Sequence, residues 1–152
     1  QRILYSIFSG LGLLGLLFYN GVLGGERLLP DDRLVKALGL FLATGGVFII
    51  RAAFRAYSLS SFLGLSDGKE ELRTDGILMF VRLPLYTATV LIFLGFFVYD
   101  SRLASLISVL CVFIYLPIGI WLEEKKLFAE YGEKYEKYAN EVPMLFPNFK
   151  GR

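Results

Sequence analysis

Histidine is missing from all 152 residues. That one absence removes haem axial histidines, Glu-x-x-His diiron sites, histidine-based zinc centres and every Ser/His or Cys/His dyad, so no metal site is expected. Cysteine occurs once, as Cys111 inside an apolar run, so no intrachain disulfide can form and the thiol is expected to pack. Charge is also scarce: 20% of residues carry it and the net value is +2, too little to argue for a nucleic-acid partner. Any chemistry must come from carboxylates, tyrosines, arginines, the backbone or a bound cofactor.

What the chain has instead is apolar surface. It is 55% hydrophobic with a mean hydropathy of +0.57, beyond the range of an ordinary soluble domain of this size. Between Arg2 and Glu26 there is no charge at all, and about 20 such residues cross ~30 Å of hydrocarbon as a helix. A first span is therefore expected over Ile3 to Leu23, and no A-x-A cleavage site follows it as a signal peptide would require. Further spans are expected over Leu34–Tyr57, Pro84–Tyr99 and Leu103–Leu122. Only Asp100-Ser101-Arg102 separates the last two, which forces an antiparallel hairpin.

Two polar connections flank the second span. Pro30-Asp31-Asp32 suits a helix start with an aspartate N-cap. Gly39, Ala43, Gly45 and Gly46 give the second span a small-residue face for close helix contact, while Arg51 and Arg55 can carry their charges to the interface. Residues 58–82 form the one sizeable polar loop. Beyond Trp121 the chain is highly charged, yet Leu127, Phe128, Tyr131, Tyr135 and Tyr138 recur at helical spacing, the mark of an amphipathic helix over Glu123–Asn140. The expected fold is thus all-α: an integral membrane protein of four transmembrane helices plus a C-terminal amphipathic helix. An N-terminal helix pair (1–57) and a core (58–152) would form a single folding unit.

Four crossings put Arg2, Arg51, Arg55, Lys69, Arg73, Arg82 and the six basic residues after Trp121 on one side. Arg27, Arg33, Lys36 and Arg102 fall on the other. The positive-inside bias then places both termini, the 58–82 loop and the tail in the cytoplasm, as in a bacterial inner membrane or its equivalent.

Gly10-Leu-Gly12-Leu-Leu-Gly15 matches the dinucleotide pattern G-x-G-x-x-G, but that loop needs a strand before it and here it lies inside a span. A second set of residues is more specific. Gly76-Ile-Leu-Met-Phe-Val-Arg82-Leu83-Pro84-Leu85-Tyr86 opens a span; then come Glu123-Glu124-Lys-Lys-Leu127, Tyr131-Gly132-Glu-Lys-Tyr135-Glu-Lys-Tyr138 and Val142-Pro143-Met-Leu-Phe-Pro147. Taken singly, Arg-x-Pro-x-Tyr is a helix start with an interfacial anchor and Glu-Glu a solvated face. In this order and spacing they resemble the isoprenylcysteine carboxyl methyltransferase family and its bacterial relatives. The family signature reads G-x-Y, R-H-P-x-Y, a helical hairpin, E-E-x-x-L, F-G-x-x-Y-x-x-Y and V-P-x-x-x-P, and the match covers about Leu72 to Phe149.

The resemblance implies an S-adenosylmethionine-dependent methyltransferase with its cofactor pocket on the cytoplasmic side. Carried over by position, Arg82, Leu83, Pro84, Tyr86, Glu123, Glu124, Tyr135 and Tyr138 would bind the cofactor, with Arg82 and Glu124 at the catalytic centre. Two positions depart from the signature: its histidine is Leu83 here and its tyrosine after the glycine is Leu78. Three readings follow. One is a methyltransferase acting on a lipid-like or small thiol or carboxylate acceptor from the bilayer. Another is a catalytically inactive scaffold that joins partner membrane subunits, and the third is a sterol-reductase-like enzyme using a nicotinamide cofactor.

Overall fold

The computed structural model describes residues 26–56, Leu72, residues 74–146 and, upstream, Leu11, Gly12, Gly15 and Tyr19. Apart from those four residues the expected first span lies outside the described residues, as do residues 57–71, Arg73 and everything from Pro147 on. Within the described chain every regular element is helical: α1 (Arg33–Ala56), a short 3-10 turn (Gly76–Met79), α2 (Pro84–Asp100), α3 (Leu103–Tyr131) and α4 (Glu133–Glu141).

Helix α1 starts where the sequence expects it. The Asp32 carboxylate accepts from the Leu34 N–H at 3.4 Å, satisfying one of the donors that a helix start leaves free. At 24 residues it is ~36 Å long, and α3, at 29 residues, is ~43 Å. Both are long and apolar enough to cross a membrane. Helix α2 is shorter, at 17 residues. Leu34, Phe41 and Phe48 of α1 are 77%, 75% and 68% exposed, and Ile114 of α3 is 72% exposed. Helices that turn such side chains outward along their length need an apolar solvent around them.

Glycine decides how α1 and α2 pack. A Cβ added at Gly95 would lie 2.5 Å from the Ala43 nitrogen and 2.6 Å from the Gly39 carbonyl oxygen. One added at Gly39 would meet the Tyr99 nitrogen at 2.6 Å, and one at Gly46 would meet Ile92 Cγ1 at 2.6 Å. The two backbones therefore touch along Gly39, Ala43 and Gly46, a contact open only to residues without bulk. Gly45, one position round the helix, has nothing within 4 Å and takes no part in this seam.

Helices α2 and α3 form the expected hairpin. Ser101 takes a left-handed conformation (φ 44°) and its N–H closes on the Phe97 carbonyl at 2.6 Å. The Ser105 hydroxyl donates to Asp100 at 2.9 Å across the turn. Leu28 donates its N–H to the Ser101 carbonyl at 2.7 Å, and Arg27 forms an antiparallel bridge with Arg102, so the chain before α1 meets the hairpin turn at one end of the molecule. There Asp31 receives both Arg27 and Lys36. The hydrogen bond from Lys36, aided by both cations, holds its carboxyl below the usual range.

One boundary differs from the sequence reading. The helix begun at Leu103 does not stop at Leu122 but runs through Glu123, Glu124 and Leu127 to Tyr131, breaking at Gly132 (φ 54°). Leu-Glu-Glu-Lys-Lys-Leu holds only good helix formers, so nothing ends the helix before the glycine. The charged segment is thus the far end of α3 followed by the nine-residue α4.

Candidate functional site

At the end of the hairpin away from Ser101, three segments converge: the stretch before α2, the end of α3, and α4 with the tail. Gly76 opens the 3-10 turn at φ 63°, a conformation that favours glycine. The turn carries Leu78 into a small cluster with Tyr135, Tyr138 and Val142, where Leu78 is 2% and Tyr135 1% exposed. The Tyr138 hydroxyl donates to the Leu78 carbonyl at 2.6 Å, pinning α4 to the turn. The tail then runs beside the start of α2: Arg82 and Leu83 donate their N–H groups to the carbonyls of Pro143 (3.0 Å) and Met144 (3.1 Å), and the Thr87 hydroxyl donates to that of Leu145 at 2.5 Å. Pro84 occupies the first turn of α2, where its missing N–H does no harm.

Arg82 and Glu124 meet in this junction. Arg82 Nη1 lies 2.6 Å from Glu124 Oε1, with side chains only 11% and 19% exposed. The Tyr135 hydroxyl donates to the same oxygen at 3.2 Å. Two features are left open. Arg82 Nε is buried and has no hydrogen-bond partner among the described residues, a state that costs about 1–3 kcal/mol unless an acceptor meets it. No described group donates to Glu124 Oε2. The pair offers one donor and one acceptor beside a nearly neutral ion pair.

Burial, then the neighbouring Glu124 carboxylate, pushes the Tyr135 phenol up to about 12, partly opposed by Arg82. Tyr135 therefore stays protonated and donates to Glu124 throughout the physiological range. Because its ordinary value is 10.0, the unfolded chain releases this proton first, and folding stability is lost as pH rises from 10 towards 12. A thermal-unfolding series over that interval should show the midpoint falling, and less steeply in Tyr135→Phe.

The other residues singled out from the sequence take different places. Glu123 pairs with Lys126 at 3.4 Å instead of with Arg82, both half-buried. Tyr86 lies against Gly119 of α3: a Cβ there would come within 3.2 Å of Tyr86 Cε1. Leu83, at 4% exposure, sits in the apolar cluster with Val90, Phe93, Val109, Val112, Leu116 and Ile120. It offers no polar atom where the resembling family has histidine. Tyr138 serves the turn, not the ion pair. An open cleft of about 310 Å³, lined by Leu72, Thr74, Met79, Lys134, Lys137, Tyr138, Glu141 and Val142, adjoins the junction without reaching Arg82 or Glu124. Thr87 and the Pro143–Leu145 backbone escaped the sequence reading. The one available signal was a hydroxyl at an otherwise apolar position, five residues after Arg82.

The Arg-x-Pro-x-Tyr segment that opens α2 thus meets Glu124 of α3 at one end of a helical hairpin in an apolar scaffold. The phospholipid methyltransferase profile matches residues 34–134, from α1 into α4, and the chain belongs to that family and is membrane-associated. Among curated relatives, methanethiol S-methyltransferase of Crocosphaera subtropica is 32% identical over 159 residues, covering 97% of this chain and 61% of the relative. Methanethiol S-methyltransferase 1 of Bradyrhizobium diazoefficiens is 28% identical over 163 residues, covering 97% and 54%, and that of Pseudomonas deceptionensis is 35% identical over 78 residues, covering 51% and 29%. The chain thus spans less than two thirds of the length of each of these relatives. No solved structure matches it.

Proposed function

We propose that this chain is a membrane-embedded, S-adenosylmethionine-dependent methyltransferase acting on a small thiol, with the Arg82–Glu124 junction at the cytoplasmic face. The observation that carries this reading is the buried Arg82 Nε beside Glu124 Oε2, neither with a partner among the described residues. An aminocarboxylate ligand has the two groups that this pair lacks. Arg82 would take the ligand carboxylate, and Glu124 its amino group or ribose hydroxyls. Tyr135, itself buried, holds Glu124 in place through its hydroxyl. When bound, S-adenosylmethionine supplies a sulfonium methyl group, which passes to the acceptor sulfur as the old carbon–sulfur bond breaks, leaving a neutral thioether and releasing the thiol proton to water.

For a thiolate acceptor the chain needs no general base, so the absence of histidine is no obstacle. Its task is alignment and exclusion of water, served here by a junction whose key side chains are mostly buried. The names of the relatives support a thiol over a carboxylate or lipid acceptor. Twelve of the 16 basic residues fall on the Arg82 side if four helices cross. Within the described chain, Arg27 and Arg102, assigned to the opposite side, do lie together.

A second reading rests on Leu83. Its burial in an apolar cluster, beside an ion pair that already closes on itself, also suits a non-catalytic relative whose junction ties α2 to α3 within a larger assembly of membrane subunits. Calorimetry with S-adenosylmethionine on the purified protein in lipid nanodiscs separates the two. The enzyme reading predicts saturable binding, weakened tenfold or more in Arg82→Lys through loss of one charge-assisted hydrogen bond worth about 1.5–3 kcal/mol. No heat at millimolar cofactor would leave the scaffold.

A further inference from the structure

We infer that Tyr86, seated by Gly119, sets the length of acceptor that the site admits. This rests on the thiol methyl transfer proposed above. Helices α2 and α3 lie antiparallel, with Arg82 facing Glu124 at the polar end of their contact. Tyr86 is one helical turn further along α2, ~6 Å deeper in the apolar layer, and Gly119 is five residues back along α3. At that level the Tyr86 ring of α2 lies against Gly119 of α3. A Cβ at position 119 would stand 3.2 Å from Tyr86 Cε1, 3.3 Å from its hydroxyl oxygen and 3.6 Å from Tyr115 Cε1, so a methyl group there would make the ring give by a few tenths of an ångström.

The ring packs on the cluster that includes Leu83, Leu116 and Ile120, and its hydroxyl makes no hydrogen bond among the described residues. The outer side of the same stretch of α3, with Tyr115 at 53% and Ile118 at 55% exposure, faces the apolar surroundings. An acceptor reaching Arg82 and Glu124 from the bilayer between these helices therefore meets the Tyr86 ring first. On this assignment a longer alkyl chain competes for the volume that the ring occupies, and a one- or two-carbon thiol does not.

The test is the kcat/KM profile for straight-chain thiols of one to six carbons, with S-adenosylmethionine and the full chain in nanodiscs. Poorly accommodated methylenes each change kcat/KM by roughly tenfold or more. The wild type should therefore fall steeply beyond two carbons, and Tyr86→Ala should raise the butanethiol-to-methanethiol ratio by about tenfold or more. Gly119→Ala, which pushes the ring towards the junction, should shift the profile the other way, with the loss appearing in KM for the longer thiols. If Tyr86→Ala does not fold, the Gly119→Ala profile decides. Methylation with an unchanged length profile in the folded variants overturns this assignment alone. A wild type that binds S-adenosylmethionine but methylates no thiol overturns the proposed reaction and this assignment with it.

Discussion

Glu124→Ala is expected to destabilise the folded protein by about 3 kcal/mol, because it strands the Arg82 guanidinium in a junction where only 11% of that side chain is exposed. The carboxylate is the only described partner of Arg82 Nη1, and Nε already lacks one. Removing Glu124 would leave a buried cation without its carboxylate. Replacing both residues by apolar groups of similar volume removes the stranded charge as well as the attraction. The double variant Arg82→Met/Glu124→Leu should therefore recover most of the loss. Thermal unfolding in detergent reads both variants. Function should not follow stability: the double variant is expected to be folded but to bind no S-adenosylmethionine. If it binds cofactor like the wild type, the pair is only a joint between α2 and α3.

The second large effect lies in the seam between α1 and α2. Gly95→Ala is expected to cost about 1–3 kcal/mol, since its Cβ would meet backbone atoms of Ala43 and Gly39 at 2.5 and 2.6 Å, and backbone cannot swing aside as a flexible side chain can. Gly45→Ala supplies the control. It adds the same methyl group to α1, one position round the helix from the seam, and meets nothing within 4 Å, so helix propensity alone acts and the change should be neutral or stabilising by up to about 1 kcal/mol. Equal effects of the two substitutions would contradict close contact along Gly39, Ala43 and Gly46.

That contrast marks where the sequence was readable. Hydropathy located α1, α2 and the start of α3 to within a few residues because each holds an uncharged stretch with Asp, Pro or Arg close to its start. The hairpin followed from the three residues between the last two helices. The small-residue face of α1 was evident, but composition cannot tell Gly46, against Ile92, from Gly45, against nothing; that difference is a rotation of 100° about the helix axis. Charge after Leu122 marks no boundary of α3, because a helix ends at a conformational break, here Gly132.

At the site, the order of the motifs was enough to bring residues 72–82 and 123–146 together, and Arg82 with Glu124 in particular. It did not resolve which motif residues face that pair. Tyr135 does, through its hydroxyl, while Tyr138, three residues on, bonds the Leu78 carbonyl. Both are tyrosines on one short helix, and only tertiary packing separates their partners. The docking of the tail on Arg82, Leu83 and Thr87 was illegible for another reason: its bonds to Arg82 and Leu83 are backbone to backbone, and even Thr87 donates to a main-chain carbonyl, so they leave little side-chain signature.

Direct photolabelling tests the central claim, that one junction built from the start of α2, the end of α3 and the tail holds a methyl donor. Purified protein in nanodiscs would be irradiated with radiolabelled S-adenosylmethionine and the labelled peptides mapped by mass spectrometry. The account predicts label confined to residues 72–86 and 123–146, competed by unlabelled cofactor and abolished in the folded Arg82→Met/Glu124→Leu variant. Competable label on α1 or at the Asp100–Arg102 turn, or label that the double variant retains, would contradict it.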